Sequence, residues 1–255
     1  MSCVAVSATA ASCARAHPLA VAGPPDGYTV VDTFPHDDAA FTEGFAFRGS
    51  RLFEGTGIEG HSNIRRVDLE SGKVLRQADL DDQFFGEGVT VLGRKAYELT
   101  WQEHRCFVYE AGTLKILDVF AYETEGWGLT NDGKLLVMSD GTDVIRFRDP
   151  KTFEVVREIH VTDSGAAVSS LNELEWVDGE IYANVFPTDD VVRIDPDTGE
   201  VLGRFNLAAL RAKEQAAGHP DVTNGIAYLP AEDRLFVTGK YWAHVYEIEL
   251  TDLPG

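Results

Sequence analysis

Glu87–Trp101 reads EGVTVLGRKAYELTW, and its plan recurs four more times along the chain. Each copy opens on a polar or aromatic residue, usually followed by Gly. It then runs into an apolar strand, turns, and returns as a second strand. The other copies are EGFAFRGSRLFEGTG from Glu43, WGLTNDGKLLVMSDG from Trp127, NELEWVDGEIYANVF from Asn172 and NGIAYLPAEDRLFVTGK from Asn224. Their starts are separated by 44, 40, 45 and 52 residues. Periods of roughly 40–50 residues built from short strands are the signature of propeller blades. The turns fit hairpins: Gly49, Gly93, Asn131-Asp132-Gly133 and Asp178-Gly179 fall where the chain must reverse, and Pro230–Asp233 makes a longer fifth turn.

A second hairpin follows each of the first four copies. Ile64–Leu69 turns into Val74–Leu80, Phe107–Glu110 into Leu114–Tyr122, Val144–Phe147 into Phe153–Val161, and Val191–Ile194 into Glu200–Leu207. Two hairpins give four strands per blade. The fifth copy has only His244–Leu250 left before the chain stops, while a surplus strand, Tyr28–Phe34, stands at the other end. The expected fold is therefore all-β: a five-bladed β-propeller over residues 24–255, closed by its N-terminal strand, which removes an exposed sheet edge. Ala208–Ala217 (AALRAKEQAA) is the one helix-like insertion and accounts for the longest step.

Composition bounds the function. A chain of 255 residues is long enough for one closed β domain, and its formal charge of −20 repels phosphate backbones, so nucleic acid is not expected as a partner. Residues 1–23 are rich in Ala, Ser and Val and hold no acidic residue. They read as a leader with an A-x-A-like Ala14-Arg15-Ala16 and a faint lipobox at Ala11-Ser12-Cys13, although the basic start of a secretion signal is missing. Export to the periplasm or medium is expected, with a cytoplasmic location as the alternative. No apolar run is long enough for a transmembrane helix. Cys106 is the one cysteine within the repeats, so no disulfide is expected there, and it reads as a strand residue. A monomer is expected.

A propeller brings equivalent positions of every repeat to one mouth of its channel. The first residues of the copies form one ring: Glu43, Glu87, Trp127, Asn172 and Asn224. Alignment through the turns gives a second ring from the returning strands: Gly57, Trp101, Asp140, Phe186 and Lys240. Carboxylates, indoles, amides and a lysine thus converge, the usual make-up of a small-ligand site.

The same residues carry a resemblance. HDDAAFTEGF at His36–Phe45, FFGEGVT at Phe84–Thr90, GWGLTNDG at Gly126–Gly133, LNELEWVDGEIYANVF at Leu171–Phe186, and NGIAY with FVTGK within Asn224–Lys240 resemble segments of the plant- and bacterial-type glutaminyl cyclases. The resemblance spans residues 28 to 250. It implies a five-bladed propeller that converts the N-terminal glutamine of peptides or proteins to pyroglutamate and releases ammonia, without a metal or other cofactor. It implies that Glu87 is the acid/base, with Trp127, Asn172 and Lys240 as further catalytic positions and Trp101, Phe41 and Phe85 as substrate-binding walls. Glu43 stands where many members have Gln and Phe186 where many have Trp; with Asn224 these are expected to contact substrate. Two rival readings remain. The oxygen donors Glu43, Glu87, Asn172 and Asn224 around one mouth would also suit Ca²⁺ in a lactonase-like hydrolase, although such propellers have six blades. A non-catalytic peptide-binding propeller is the other.

Overall fold

The computed structural model describes residues 27–251. Five four-stranded antiparallel sheets follow one another around a ring. The first blade comprises Thr42–Arg48, Arg51–Thr56, Asn63–Val67 and Val74–Asp79; the second Gly86–Leu92, Lys95–Thr100, Arg105–Glu110 and Ile116–Ala121. The third comprises Leu129–Asn131, Leu136–Met138, Val144–Arg148 and Val155–His160; the fourth Leu171–Val177, Glu180–Val185, Asp190–Ile194 and Val201–Asn206. The fifth is built from Thr223–Leu229, Arg234–Gly239, His244–Leu250 and, as its outermost strand, Tyr28–Pro35. That last pairing is antiparallel and runs from Tyr28 opposite Leu250 to Pro35 opposite His244. The helix occupies Ala208–Ala217. The leader expected at 1–23 lies outside the described residues, and among those described no helix is long and apolar enough to cross a membrane.

Burial between blades holds the ring together. Five clusters of buried apolar side chains occur among the described residues, one at each junction between neighbouring blades. At the junction of blades five and one, Phe34, Phe45, Leu52, Phe236 and Val245 pack together, so the outermost strand of the last blade touches the first. Cys106 is buried between blades two and three, with its thiol pushed up by burial to a pKa that leaves it protonated and inert.

The Gly that follows the opening residue of a repeat has a steric cause. A Cβ on Gly88 would meet the Trp127 carbonyl and the Leu129 amide of the next blade at 2.5 Å each. Gly44 stands equally close to Val89, and Gly128 to Asn172 and Glu173. Inner strands therefore approach backbone to backbone around the channel. In the fourth copy the residue after Asn172 is not Gly but Glu173, and its carboxyl accepts from Phe45 N–H at 3.1 Å and Ile226 N–H at 2.8 Å, tying blade four to blades one and five.

The outer hairpins share a turn only partly visible in sequence. An acid accepts the N–H of the residue three along, and the residue four along has positive φ and donates back to the acid's carbonyl. Asp68 with Ser71 and Gly72, and Asp195 with Thr198 and Gly199, show the expected glycine. Leu114 and Phe153 hold the same left-handed position in blades two and three, at φ 56° and 63°. Both side chains are buried, so core packing offsets the backbone cost. Leu114 accordingly belongs to the turn and not to the following strand, which begins at Ile116.

Candidate active site

Four of the five inner strands are bulged where they begin. Pairing with the returning strand slips between Thr42 and Gly44, between Gly86 and Val89, between Leu171 and Leu174, and between Thr223 and Ile226. Glu43, Glu87, Asn172 and Asn224 fall at those four slips. A bulge re-aims the side chain it carries, so four blades use one device to turn a polar residue off the sheet face.

The mouth holds a cavity of about 410 Å³ lined by Phe41, Glu43, Phe85, Glu87, Trp101, Trp127, Asn172, Phe186, Pro187, Asp221, Val222 and Lys240. Nine of the ten residues singled out from sequence are among them. Asn224 is the exception. It is fully buried behind the wall, where its amide donates to Glu43 Oε2 at 3.1 Å and to the Thr42 carbonyl at 2.9 Å. Two members of the second ring also stay out of the lining. Asp140 is turned to an ion pair with Arg146, and Gly57 lies beneath Phe85, whose ring a Cβ there would meet at 2.5 Å. Asp221, Val222 and Pro187 lie outside the repeat pattern and escaped the sequence reading. The first two follow the helix insertion, the one segment without a counterpart in other blades.

The floor is a carboxyl pair with one cation. Lys240 Nζ donates to Glu43 Oε1 at 2.7 Å and sits 4.3 Å from the centre of the Phe41 ring. Glu43 and Glu87 line the same cavity and are close enough to shift one another's ionisation. Burial, then the adjacent Glu43, push Glu87 well above the usual carboxylate range, and Lys240 only partly opposes them. Burial also pushes Glu43 up to about 7 against the pull of Lys240. Both donors, Lys240 and Asn224, bond to Glu43 and favour its ionised form, whereas neither bonds to Glu87. Glu87 forms no ion pair among the described residues and is the group left to react.

Asn172 is 4% exposed, yet its side-chain amide makes no hydrogen bond with the described residues, and its Oδ1 is buried without a partner. Its Nδ2, which also has no partner among the described residues, is the atom left to donate to a molecule in the cavity. The tryptophans are different. Trp101 Nε1 and Trp127 Nε1 both donate to Glu125 Oε2, each at 2.9 Å. Their N–H groups are engaged away from substrate, and the cavity meets their apolar faces. Phe85 packs edge-on to Trp101 at 5.7 Å between centroids, and Phe186 edge-on to Trp127 at 5.8 Å. Glu125 has no place in the repeat alignment, being two residues ahead of the opening Trp127.

The arrangement can do proton transfer on a small substrate with an apolar body and an amide-like polar end. A calcium site is disfavoured by its own geometry: the Lys240 ammonium stands where a cation bound to Glu43 would sit. Among the described residues no three or more acidic, His or Cys side chains gather to hold a metal.

Comparison with known proteins agrees with this chemistry. A family model described as glutamine cyclotransferase matches residues 2–250. A glutaminyl-peptide cyclotransferase of Arabidopsis thaliana is 42% identical over 225 residues, covering 87% of this chain and 70% of that protein. The crystal structure of Myxococcus xanthus glutaminyl cyclase superposes with a TM-score of 0.84 at 34% identity, covering 89% of this chain and 97% of that one. The WD40 β-propeller domain of Doa1, 10% identical with a TM-score of 0.50 over 82% of this chain and 63% of that one, shares the propeller architecture alone.

Proposed function

The chain belongs to the glutamine cyclotransferase family, and from that premise we propose that it is a glutaminyl-peptide cyclotransferase whose proton shuttle is Glu87. The observation that carries the assignment is Glu87 itself: a buried carboxyl without an ion-pair partner, facing the cavity beside the unpaired amide of Asn172.

The reaction joins a peptide's α-amino nitrogen to the carbonyl carbon of its own glutamine side chain. Both reacting groups belong to one residue, so the site must mainly hold the folded-back conformer. The faces of Phe85, Trp101, Trp127 and Phe186 enclose the methylenes. As the new C–N bond forms, ionised Glu87 takes a proton from the attacking nitrogen. As the old C–N bond breaks, it passes that proton to the departing nitrogen, which leaves as NH3. Glu87 ends as it began, so one carboxylate serves both steps. Charge developing on the amide oxygen needs a donor. The indole N–H groups are bonded to Glu125, so the donors left for that role are the Asn172 amide and the Lys240 ammonium, whose bond to Glu43 uses one of its three N–H groups. Glu43 holds Lys240 and, as a neighbouring carboxyl, raises the basicity of Glu87.

Peptides or proteins that begin with glutamine are the substrates this site fits. We assign the chain to export, with residues 1–23 as its leader, on their composition. The test is ammonia release from a glutamine-initiated dipeptide in excess EDTA: an unchanged rate supports the shuttle, whereas loss of activity restored by Ca²⁺ moves the assignment to a metal hydrolase.

A further inference from the structure

Glu125 lies on the crossover from blade two to blade three, outside the cavity lining. Its backbone is fixed on both sides: the Thr124 carbonyl bonds the His104 ring at 2.6 Å, and Gly126 N–H donates to the Trp101 carbonyl at 2.9 Å. Its carboxylate gathers three donors. Oε2 accepts both indole N–H groups, and Oε1 accepts Gln102 Nε2 at 2.9 Å. Together these bonds draw the carboxyl below its usual range despite partial burial.

The two indoles come from different blades. Trp101 ends the inner hairpin of blade two, and Trp127 enters blade three. Trp101 is 37% exposed and is flanked by Phe85, and Trp127 is flanked by Phe186. Trp127 also lies against Gly141, whereas Trp101 is the more exposed of the two rings. Ring contacts join Phe41 to Phe85, Phe85 to Trp101, and Trp127 to Phe186. No ring contact joins Trp101 to Trp127 among the described residues, and Glu125 Oε2 spans that break.

We infer that Glu125 is the positioning residue of the substrate wall: by binding both indole N–H groups it locks Trp101 and Trp127 with their apolar faces to the cavity. It touches no reacting atom. The inference rests on the cyclotransferase reading for its kinetic consequence, though not for its geometry. An unlocked wall weakens substrate and transition state alike, so the expected kinetic change lies in KM and not in kcat.

The protein has four tryptophans, so an NMR spectrum of ¹⁵N-labelled protein without substrate shows their indole N–H resonances as a small separate set. Glu125→Ala should move two of them, those lost on Trp101→Phe and Trp127→Phe, and should raise KM for a glutamine-initiated dipeptide roughly tenfold, the worth of one charge-assisted hydrogen bond. Glu125→Gln keeps an oxygen that can accept both indoles and should restore the resonances and most of KM. In the Trp101→Phe, Trp127→Phe double variant, Glu125→Ala should change KM no further. Unmoved indole resonances in Glu125→Ala overturn the inference, and so does a KM as poor in Glu125→Gln as in Glu125→Ala, which would assign the effect to charge. Failure of the wild-type protein to release ammonia, with the resonances behaving as described, overturns the cyclotransferase reading and leaves the clamp standing.

Discussion

At the scale of single residues, Glu87 and Glu43 are two buried carboxyls with different surroundings, to which the proposed shuttle gives different roles. Glu87→Gln keeps the shape and removes the proton acceptor, so kcat should fall by roughly 10²–10⁴ with KM little changed. Glu43→Gln should leave an active enzyme with a shifted pH profile. It removes a like charge beside Glu87 and frees the Lys240 ammonium to attract the ionised Glu87, and both changes lower the pKa of Glu87. The acidic limb of kcat/KM should therefore move to lower pH. A limb that stays in place, or a Glu43 variant as dead as the Glu87 variant, contradicts the division of labour. Most of this site was legible in the sequence because ring residues open repeats, and repeats can be aligned. Asn224 reads as a ring member too, yet its amide bonds inward to Glu43 and the Thr42 carbonyl, side-chain bonding that spacing does not record. Glu125 was hidden for the opposite reason: its position is unique to one crossover, and one of the two indoles it binds, Trp101, lies 24 residues back in the preceding blade.

At the scale of elements, turn residues marked the inner hairpin of every blade, glycine in four and Pro230–Asp233 in the fifth, and the helix at Ala208–Ala217 appeared where the repeat step lengthened. The left-handed turns at Leu114 and Phe153 were not legible, because tertiary burial holds a conformation that neither residue prefers. What the helix does was also invisible. Glu214 on its inner face is buried and accepts from Ala243 N–H at 2.8 Å, from the His244 ring and from the Tyr246 hydroxyl, anchoring the insertion to blade five. The chain then runs through Asp221 and Val222 into the cavity wall. Glu214→Ala should cost about 2–3 kcal/mol, as expected when buried donors lose their acceptor, and should raise KM because the rim loosens with the helix. Thermal unfolding and steady-state kinetics on one preparation check both; a lower Tm with unchanged KM would detach the helix from the site. Gly88→Ala places a methyl against the backbone of the next blade and should destabilise by about 2–4 kcal/mol by overpacking.

At the scale of the whole molecule, buried carboxyls within the blades carry unusual ionisation. Burial raises Glu98 and Glu175 to about 8, and the nearest relief, the Tyr109 hydroxyl on Glu98 at 2.6 Å, only moderates it. A carboxyl whose folded pKa lies above its unfolded one binds more protons when folded. Its stabilising contribution is complete below about 4.5 and is lost as pH rises through about 8. Glu54 has the opposite sign. It is buried, but the charges of His36 and Arg65 hold it at about 2, so its contribution is present above about 4.5 and disappears as pH falls towards 2. Denaturant titrations should therefore give greatest stability in mild acid and a decline from neutral to pH 9; a midpoint that climbs across that interval contradicts the assignment. Ring order is a second global property. Removing residues 1–34 takes away nearly all of the strand paired with His244–Leu250, exposes that edge and should cause aggregation, whereas a soluble monodisperse product would show that the strand is dispensable. The central claim, that the five blades together close a glutamine side chain onto its own amine, is tested most directly by the product. A glutamine-initiated dipeptide and its N-acetylated counterpart are incubated with the protein, and ammonia and product mass are followed together. The free peptide should lose ammonia alone and acquire a blocked amino terminus, one ammonia per product, while the acetylated peptide stays intact. Ammonia released with a glutamate-initiated peptide as product, or released equally from the acetylated peptide, would contradict cyclisation.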